Sequence, residues 1–230
     1  MKLIKCLLTG LGLLMLAGPA AAEQRLTIIH TNDMHSHLLG AAPNMTYSPD
    51  RTGDDATRGG FARIATIIKE TRLKSAHPVL ALDSGDFLMG SLFHMLSRER
   101  AYELRLLYQM GYDSLTLGNH EFDLKPGGLA RILRSAERHG QLPTIVSSNL
   151  IFSSGSGEDD TLEDAFKDGL IKPYHVVQKG GLRIGIFGLM GKDAAEVAPF
   201  ASPVQFADPI VSARKWVNTL RENENVDLVI

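Results

Sequence analysis

The sequence holds a single cysteine, Cys6, and that scarcity excludes whole chemistries. Structural disulfides need pairs of cysteines, and zinc–thiolate sites and iron–sulfur clusters need several thiolates. Any metal must be held by His, Asp, Glu or Asn. An excess of charge of one sign is missing as well. The 24 Lys and Arg residues against 26 Asp and Glu leave a formal charge of −2, which argues against a nucleic-acid binder that works through a phosphate-neutralising basic face. Glycine and proline are modest: 22 and 10 in 230 residues, well under the roughly 25–30% that marks low-complexity chains. The chain is therefore expected to fold, and at this length it buries roughly 70% of its unfolded surface, enough for one sizeable core.

A bilayer-spanning apolar run is also lacking. The apolar stretch at residues 6–16 is shorter than the ~20 residues a membrane helix needs. It follows the basic start Met1-Lys2-Leu3-Ile4-Lys5 and precedes Ala20-Ala21-Ala22, the pattern of a secretory signal cleaved before Glu23. Residues 1–22 are thus expected to leave, taking Cys6 with them. A secreted, periplasmic or cell-envelope protein without membrane insertion is expected.

What remains reads as alternating strands and helices. Leu26-Thr27-Ile28-Ile29-His30 is a β-branched run ending in Thr31-Asn32-Asp33, and Phe61, Ile64, Ala65, Ile68 and Thr71 recur at helical spacing. Val79-Leu80-Ala81-Leu82 stops at Asp83-Ser84-Gly85-Asp86. Ala101, Leu104, Leu107 and Met110 mark a helix that feeds a strand at 114–117, before Gly118-Asn119-His120. Pro126 opens a helix with Leu129, Ile132, Leu133 and Ala136 on one side, and a strand at 144–147 ends in Ser148-Asn149. Such alternation implies βαβ crossovers and a largely parallel sheet. Further on, residues 174–178 and 182–189 flank Lys179-Gly180-Gly181 as a hairpin. Residues 153–164 read as a solvated loop, and residues 40–59 as a polar excursion beside the first strand end. A helix at 209–221 is followed by the apolar run 226–230, typical of an internal strand. Domains seldom end there, so the 230 residues are expected to be the amino-terminal piece of a longer protein.

Three strands run into polar clusters: Asp33-Met34-His35, Gly85-Asp86 and Gly118-Asn119-His120-Glu121. Ligands in open α/β sheets bind at the carboxyl ends of the strands, so the three should meet at one rim. One His or Asp at a strand end is more often a cap or turn former; three clusters in order shift that balance. Their oxygen and imidazole donors suit divalent Zn, Mn, Fe or Mg. Asp33 and His35 can point at one ion, Asp86 can bridge two, and Asn119 can complete the second. Two ions ~3.5–4 Å apart clamp an in-line displacement at phosphorus and activate a shared water. His120 can then reach the leaving oxygen, with Asp123 on its far ring nitrogen. Asp83 reads as structural. His30 is expected to be a buried, hydrogen-bonded strand residue. His37 is a weaker candidate for approaching substrate, and Asn149 is expected to do no more than hold the rim.

The segments His30-Thr31-Asn32-Asp33-Met34-His35-Ser36-His37, Gly59-Gly60-Phe61-Ala62-Arg63, Asp83-Ser84-Gly85-Asp86 and Gly118-Asn119-His120-Glu121-Phe122-Asp123 resemble the calcineurin-like metallophosphoesterases, in their secreted bacterial 5′-nucleotidase and UDP-sugar hydrolase branch. The resemblance implies an α/β fold, a four-layer αββα sandwich truncated here before its last strands, with the catalytic domain at 23–230 incomplete at its carboxyl end. It implies two divalent metal ions, with Asp33 and His35 on the first, Asp86 between them and Asn119 on the second. His120, paired with Asp123, would serve the leaving group. The implied substrate is a small phosphate ester such as a nucleotide, and not a nucleic acid. Further family ligands follow the strand at 226–230, so these residues alone are expected to bind metal weakly and hydrolyse little. A thiosulfohydrolase on the same scaffold and a non-catalytic binding module are the alternatives.

Overall fold

The computed structural model describes residues 23–40 and 58–230. The expected signal and most of the polar excursion after the first strand lie outside the described residues. Four strands, β1 (Thr27–Thr31), β2 (Val79–Asp83), β3 (Ser114–Thr116) and β4 (Ile145–Val146), form a parallel sheet in the order β1-β2-β3-β4. The connections are α1 (Phe61–Lys74), then α2 (Ser97–Arg100) with α3 (Tyr102–Met110), then α4 (Lys125–Arg138). Parallel crossovers are right-handed. A sheet whose order never reverses therefore carries all its helices on one face, and the other face must be covered differently.

A second sheet covers it. The strands β6 (His175–Lys179) and β7 (Leu182–Ile186) pair antiparallel around Gly180-Gly181 as the sequence predicts, and β9 (Leu228–Val229) joins β7 in parallel. Leu80, Leu82 and Val146 of the first sheet meet Ile184 and Ile186 of the second, each burial contributing roughly 1.5–3 kcal/mol. All five residues of β2 are buried, because apolar layers press on it from both sides. On the outer face of the second sheet lies α7 (Pro209–Asn218), whose continuation brings Leu220 against Gly185. The order of layers is helix, sheet, sheet, helix, as the αββα expectation has it. A short pair, β5 (Leu150–Ile151) with β8 (Gln205–Phe206), and the helices α5 (Asp160–Lys167) and α6 (Lys192–Glu196) complete the described chain. Among the described residues no helix is long and apolar enough to cross a membrane.

Two expectations need correction. The polar stretch 153–164 is not all loop: α5 begins at Asp160 and buries Leu162 and Ala165 against α4. Asp159 is itself buried and accepts the Ser153 N–H, closing the loop that leads in. Apolar residues at i and i+3 win over a polar composition once a neighbouring helix offers a surface. His30 is exposed rather than buried. It sits on the edge strand β1, beside the also exposed Ile28, where the second sheet does not reach; its Nε2 lies 2.8 Å from Ser84 Oγ.

Candidate metal centre

The loops after β1 and β2 run side by side. Backbone N–H groups of Asp33, His35 and Ser36 donate to the carbonyls of Gly85, Asp86 and Phe87 at 3.0, 3.0 and 2.9 Å. That ladder places His35 beside Asp86 although about fifty residues separate them. It is bought with backbone strain: Asp33, His35, Ser36 and Asp86 have φ of 51°, 42°, 51° and 54°. A non-glycine residue in this region costs of order 1–2 kcal/mol, and such residues cluster at functional sites.

The third loop closes on the first two at van der Waals distance. A Cβ on Gly118 would overlap Asp86 Oδ1 and come within 2.7 Å of Asp86 N, so only glycine lets the Asn119-His120 turn approach. Asp86 Oδ1 accepts the His120 N–H at 2.9 Å. His35, Asp86 and His120 then each offer a ligand atom, all within 4.8 Å of one another. Metal bonds of about 2.0–2.2 Å fit that spread, and two imidazoles with a carboxylate suit a borderline divalent ion. These residues fit a metal. The contact of His35 Nδ1 with Leu88 O at 3.3 Å requires the proton on Nδ1, which leaves Nε2 with its lone pair free.

Around this point Asp33, Asp86 and Asn119 line one cleft of about 310 Å³, walled on the far side by Leu189, Met190 and Gly191 after β7. His35 Nε2 lies 3.6 Å from Asp33 Oδ1; Asp33, more than half exposed, also contacts Asn32. The Asn119 side chain does not cap the turn it precedes. His120 meets His35 edge to face, ring centres 5.0 Å apart, and its Nδ1 lies 2.6 Å from Asp123 Oδ2. Burial lowers the pKa of this imidazole, but the Asp123 hydrogen bond and charge, with Asp86 and Glu121 behind them, outweigh it and hold it above the usual histidine value. The expected place of His120 is at the leaving group; its ring also falls within the three-residue cluster, but with Nδ1 turned to Asp123 only Nε2 is left, which can ligate an ion or carry a proton, not both. His37 is exposed, its ring beside Gly90, and it is not among the residues that line the cleft. Asn149 is buried and bonds Met190 and Ala207.

Glu121 was given no role from the sequence. It is fully buried and accepts three backbone N–H groups: Asp86 at 2.8 Å, Leu88 at 3.0 Å and Gly118 at 2.6 Å. One carboxylate thereby ties the second loop to the third. Burial, with the charge of Asp86 adding, pushes its pKa up to about 8 against the pull of those donors. Its one sequence signal is an acid set between the polar Asn119-His120 pair and Phe122, in a turn flanked by apolar residues. Asp83, also buried, accepts from Thr31 Oγ1 and from Gly85 N, a turn-holding role.

Comparison with known proteins agrees with this architecture. The profile of the calcineurin-like phosphoesterase family matches residues 26–185. A snake venom 5′-nucleotidase of Gloydius brevicauda is 34% identical over 201 residues, 87% of this chain and 31% of the relative. The 5′-nucleotidase of Rattus norvegicus is 31% identical over 236 residues, 98% of this chain and 36% of the relative. In three dimensions the crystal structure of a 5′-nucleotidase precursor from Thermus thermophilus superposes with a TM-score of 0.69 at 33% identity, over 89% of this chain and 36% of that one. The chain thus spans about a third of the length of the curated relatives it matches. With the profile, the relatives and the αββα layers in agreement, the chain belongs to the calcineurin-like phosphoesterase family.

Proposed function

We propose that the protein is a secreted, dimetal-dependent phosphoester hydrolase acting on 5′-nucleotides or related nucleotide esters. The observation that carries this reading is the convergence of His35, Asp86 and His120 within 4.8 Å of one another, at the carboxyl ends of three parallel strands. Asp33 and His35 would hold one ion, Asp86 would serve both, and Asn119 would serve the second. When bound, two divalent ions lower the pKa of water and draw charge from the phosphoryl oxygens. The chain supplies the rest. The fixed loops hold the carboxylate and imidazoles in place without rearrangement. His120, off the ions and kept protonated by Asp123, would give its Nε2 proton to the leaving oxygen. The nucleotide class is supported by the 5′-nucleotidases among the relatives, and secretion by the signal-like pattern of residues 1–22.

The test has two arms. Titration of the full-length protein with Mn²⁺, followed by electron paramagnetic resonance, should show two coupled ions per chain, lost in Asp86→Asn. One ion or none overturns the two-ion reading. Phosphate release by the full-length protein should be faster from AMP than from a diester or a thiosulfate ester; a preference for either of the latter overturns the substrate assignment.

A further inference from the structure

Ser36 follows His35 directly, is fully buried and holds φ at 51°. Its polar atoms are all engaged. The N–H donates to Phe87 O at 2.9 Å, the carbonyl accepts from Ser91 Oγ at 2.6 Å and from Leu38 N at 2.8 Å, and the hydroxyl donates to Glu103 Oε1 at 2.7 Å. Glu103 arrives from the first turn of α3, 67 residues further along. It too is fully buried, and its Oε2 has no partner among the described residues.

A carboxylate in that position is a poor choice for stability alone. Leu104 and Leu107 on the same helix are fully buried leucines, and an apolar side chain at 103 would avoid burying a half-satisfied acid. What Glu103 supplies is a fixed acceptor for Ser36. The peptide between His35 and Ser36 carries left-handed φ at both ends, so without an anchor it can relax to ordinary backbone and turn the imidazole aside. Beyond it, Gly90 passes so close that a Cβ there would lie 2.7 Å from both Cβ and O of His35, so the two loops pack here only while the turn keeps its present shape.

We propose that Glu103 is a positioning residue: by holding the Ser36 hydroxyl it keeps the strained turn that aims His35 at Asp86 and His120. The proposal rests on the two-ion reading only for what His35 is aimed at. Three variants test it, Glu103→Leu, Glu103→Gln and Ser36→Ala, each read metal-free and in Mn²⁺ titration. Glu103→Leu should melt at or above the wild-type temperature without metal, yet bind Mn²⁺ about 10- to 100-fold more weakly, the usual loss when a residue behind a ligand is removed. Glu103→Gln keeps the acceptor and should keep the affinity. Ser36→Ala should lose as much as Glu103→Leu, and the double variant no more than either.

Wild-type affinity in Glu103→Leu, or losses that add in the double variant, would overturn the proposal. If Glu103→Leu does not fold, equal affinities of Glu103→Gln and Ser36→Ala overturn it instead. The ¹⁵N resonances of the His35 imidazole in metal-free protein give a separate readout. They should move in Ser36→Ala and Glu103→Leu, and unchanged signals count against Glu103. Absence of Mn²⁺ binding by the wild type defeats the two-ion reading, while those resonances still decide the role of Glu103.

Discussion

Asp123 Oδ2 lies 2.6 Å from Nδ1 of His120, three residues earlier in the same turn. The bond orients the ring and favours its charged form, which suits a proton donor. Removing a general acid costs roughly 10²–10⁴-fold in rate. Asp123→Asn should therefore lower kcat on AMP by about tenfold or more with KM little changed. The loss should nearly vanish on p-nitrophenyl phosphate, whose leaving group needs no proton. Equal losses on both substrates would reject the proton-donor role.

Gly118→Ala should weaken metal binding at the site. The new Cβ would occupy the space of the Asp86 carboxylate, so either Asp86 or the Asn119-His120 turn must give way. Overpacking of this kind typically costs 1–3 kcal/mol, and displaced ligands should weaken Mn²⁺ binding by about 10-fold or more. Gly191→Ala, on the far wall of the cleft with nothing within 4 Å of a Cβ, is the control and should bind as wild type. Isothermal titration of both variants checks the contrast.

Asp83 gives a pH signature in the metal-free protein. Burial, opposed by the Thr31 and Gly85 hydrogen bonds, pushes its pKa up to about 6, above the unfolded value of ~3.9. Between those values the native chain keeps a proton that the unfolded chain has released. The stability owed to this group therefore falls as pH rises from about 4 to about 6, and stays at its low level above that. Asp83→Asn removes the titration. Relative to wild type, the variant should gain on the order of 1 kcal/mol between pH 5 and pH 7.5, measured as the change in urea unfolding free energy. A difference independent of pH would reject the assignment.

The parallel sheet was legible in the sequence because its inner strands are pressed from both sides and so read as short apolar runs; Val79–Asp83 is the clearest. The hairpin was legible because Gly180 and Gly181 mark its turn. The segment before α3 was not, since Leu92, Met95 and Leu96 are apolar yet 81%, 67% and 49% exposed, a pattern that points to no face. The strand-end rule was enough to bring Asp33, His35, Asp86, Asn119 and His120 to one rim. The residues behind them escaped it. Two of the three N–H groups that Glu121 accepts come from 35 and 33 residues away, and Ser36 is 67 residues from Glu103. Apart from the apolar flanks of the Glu121 turn, nothing local announces a buried carboxylate whose partners exist only after folding.

Asn149 spans the gap between these pieces. Its amide gives to Met190 O and Ala207 O, and its oxygen takes the Met190 N–H, each at 3.0 Å. A single side chain thus latches the segments after β7 and β8 to the end of β4. Loosening either segment would leave an amide atom of the buried Asn149 without its partner, so this one side chain opposes the movement of both. The Met190 side of the cleft is thereby tied to the main sheet, and any widening for a larger ligand would fall to the opposite lip.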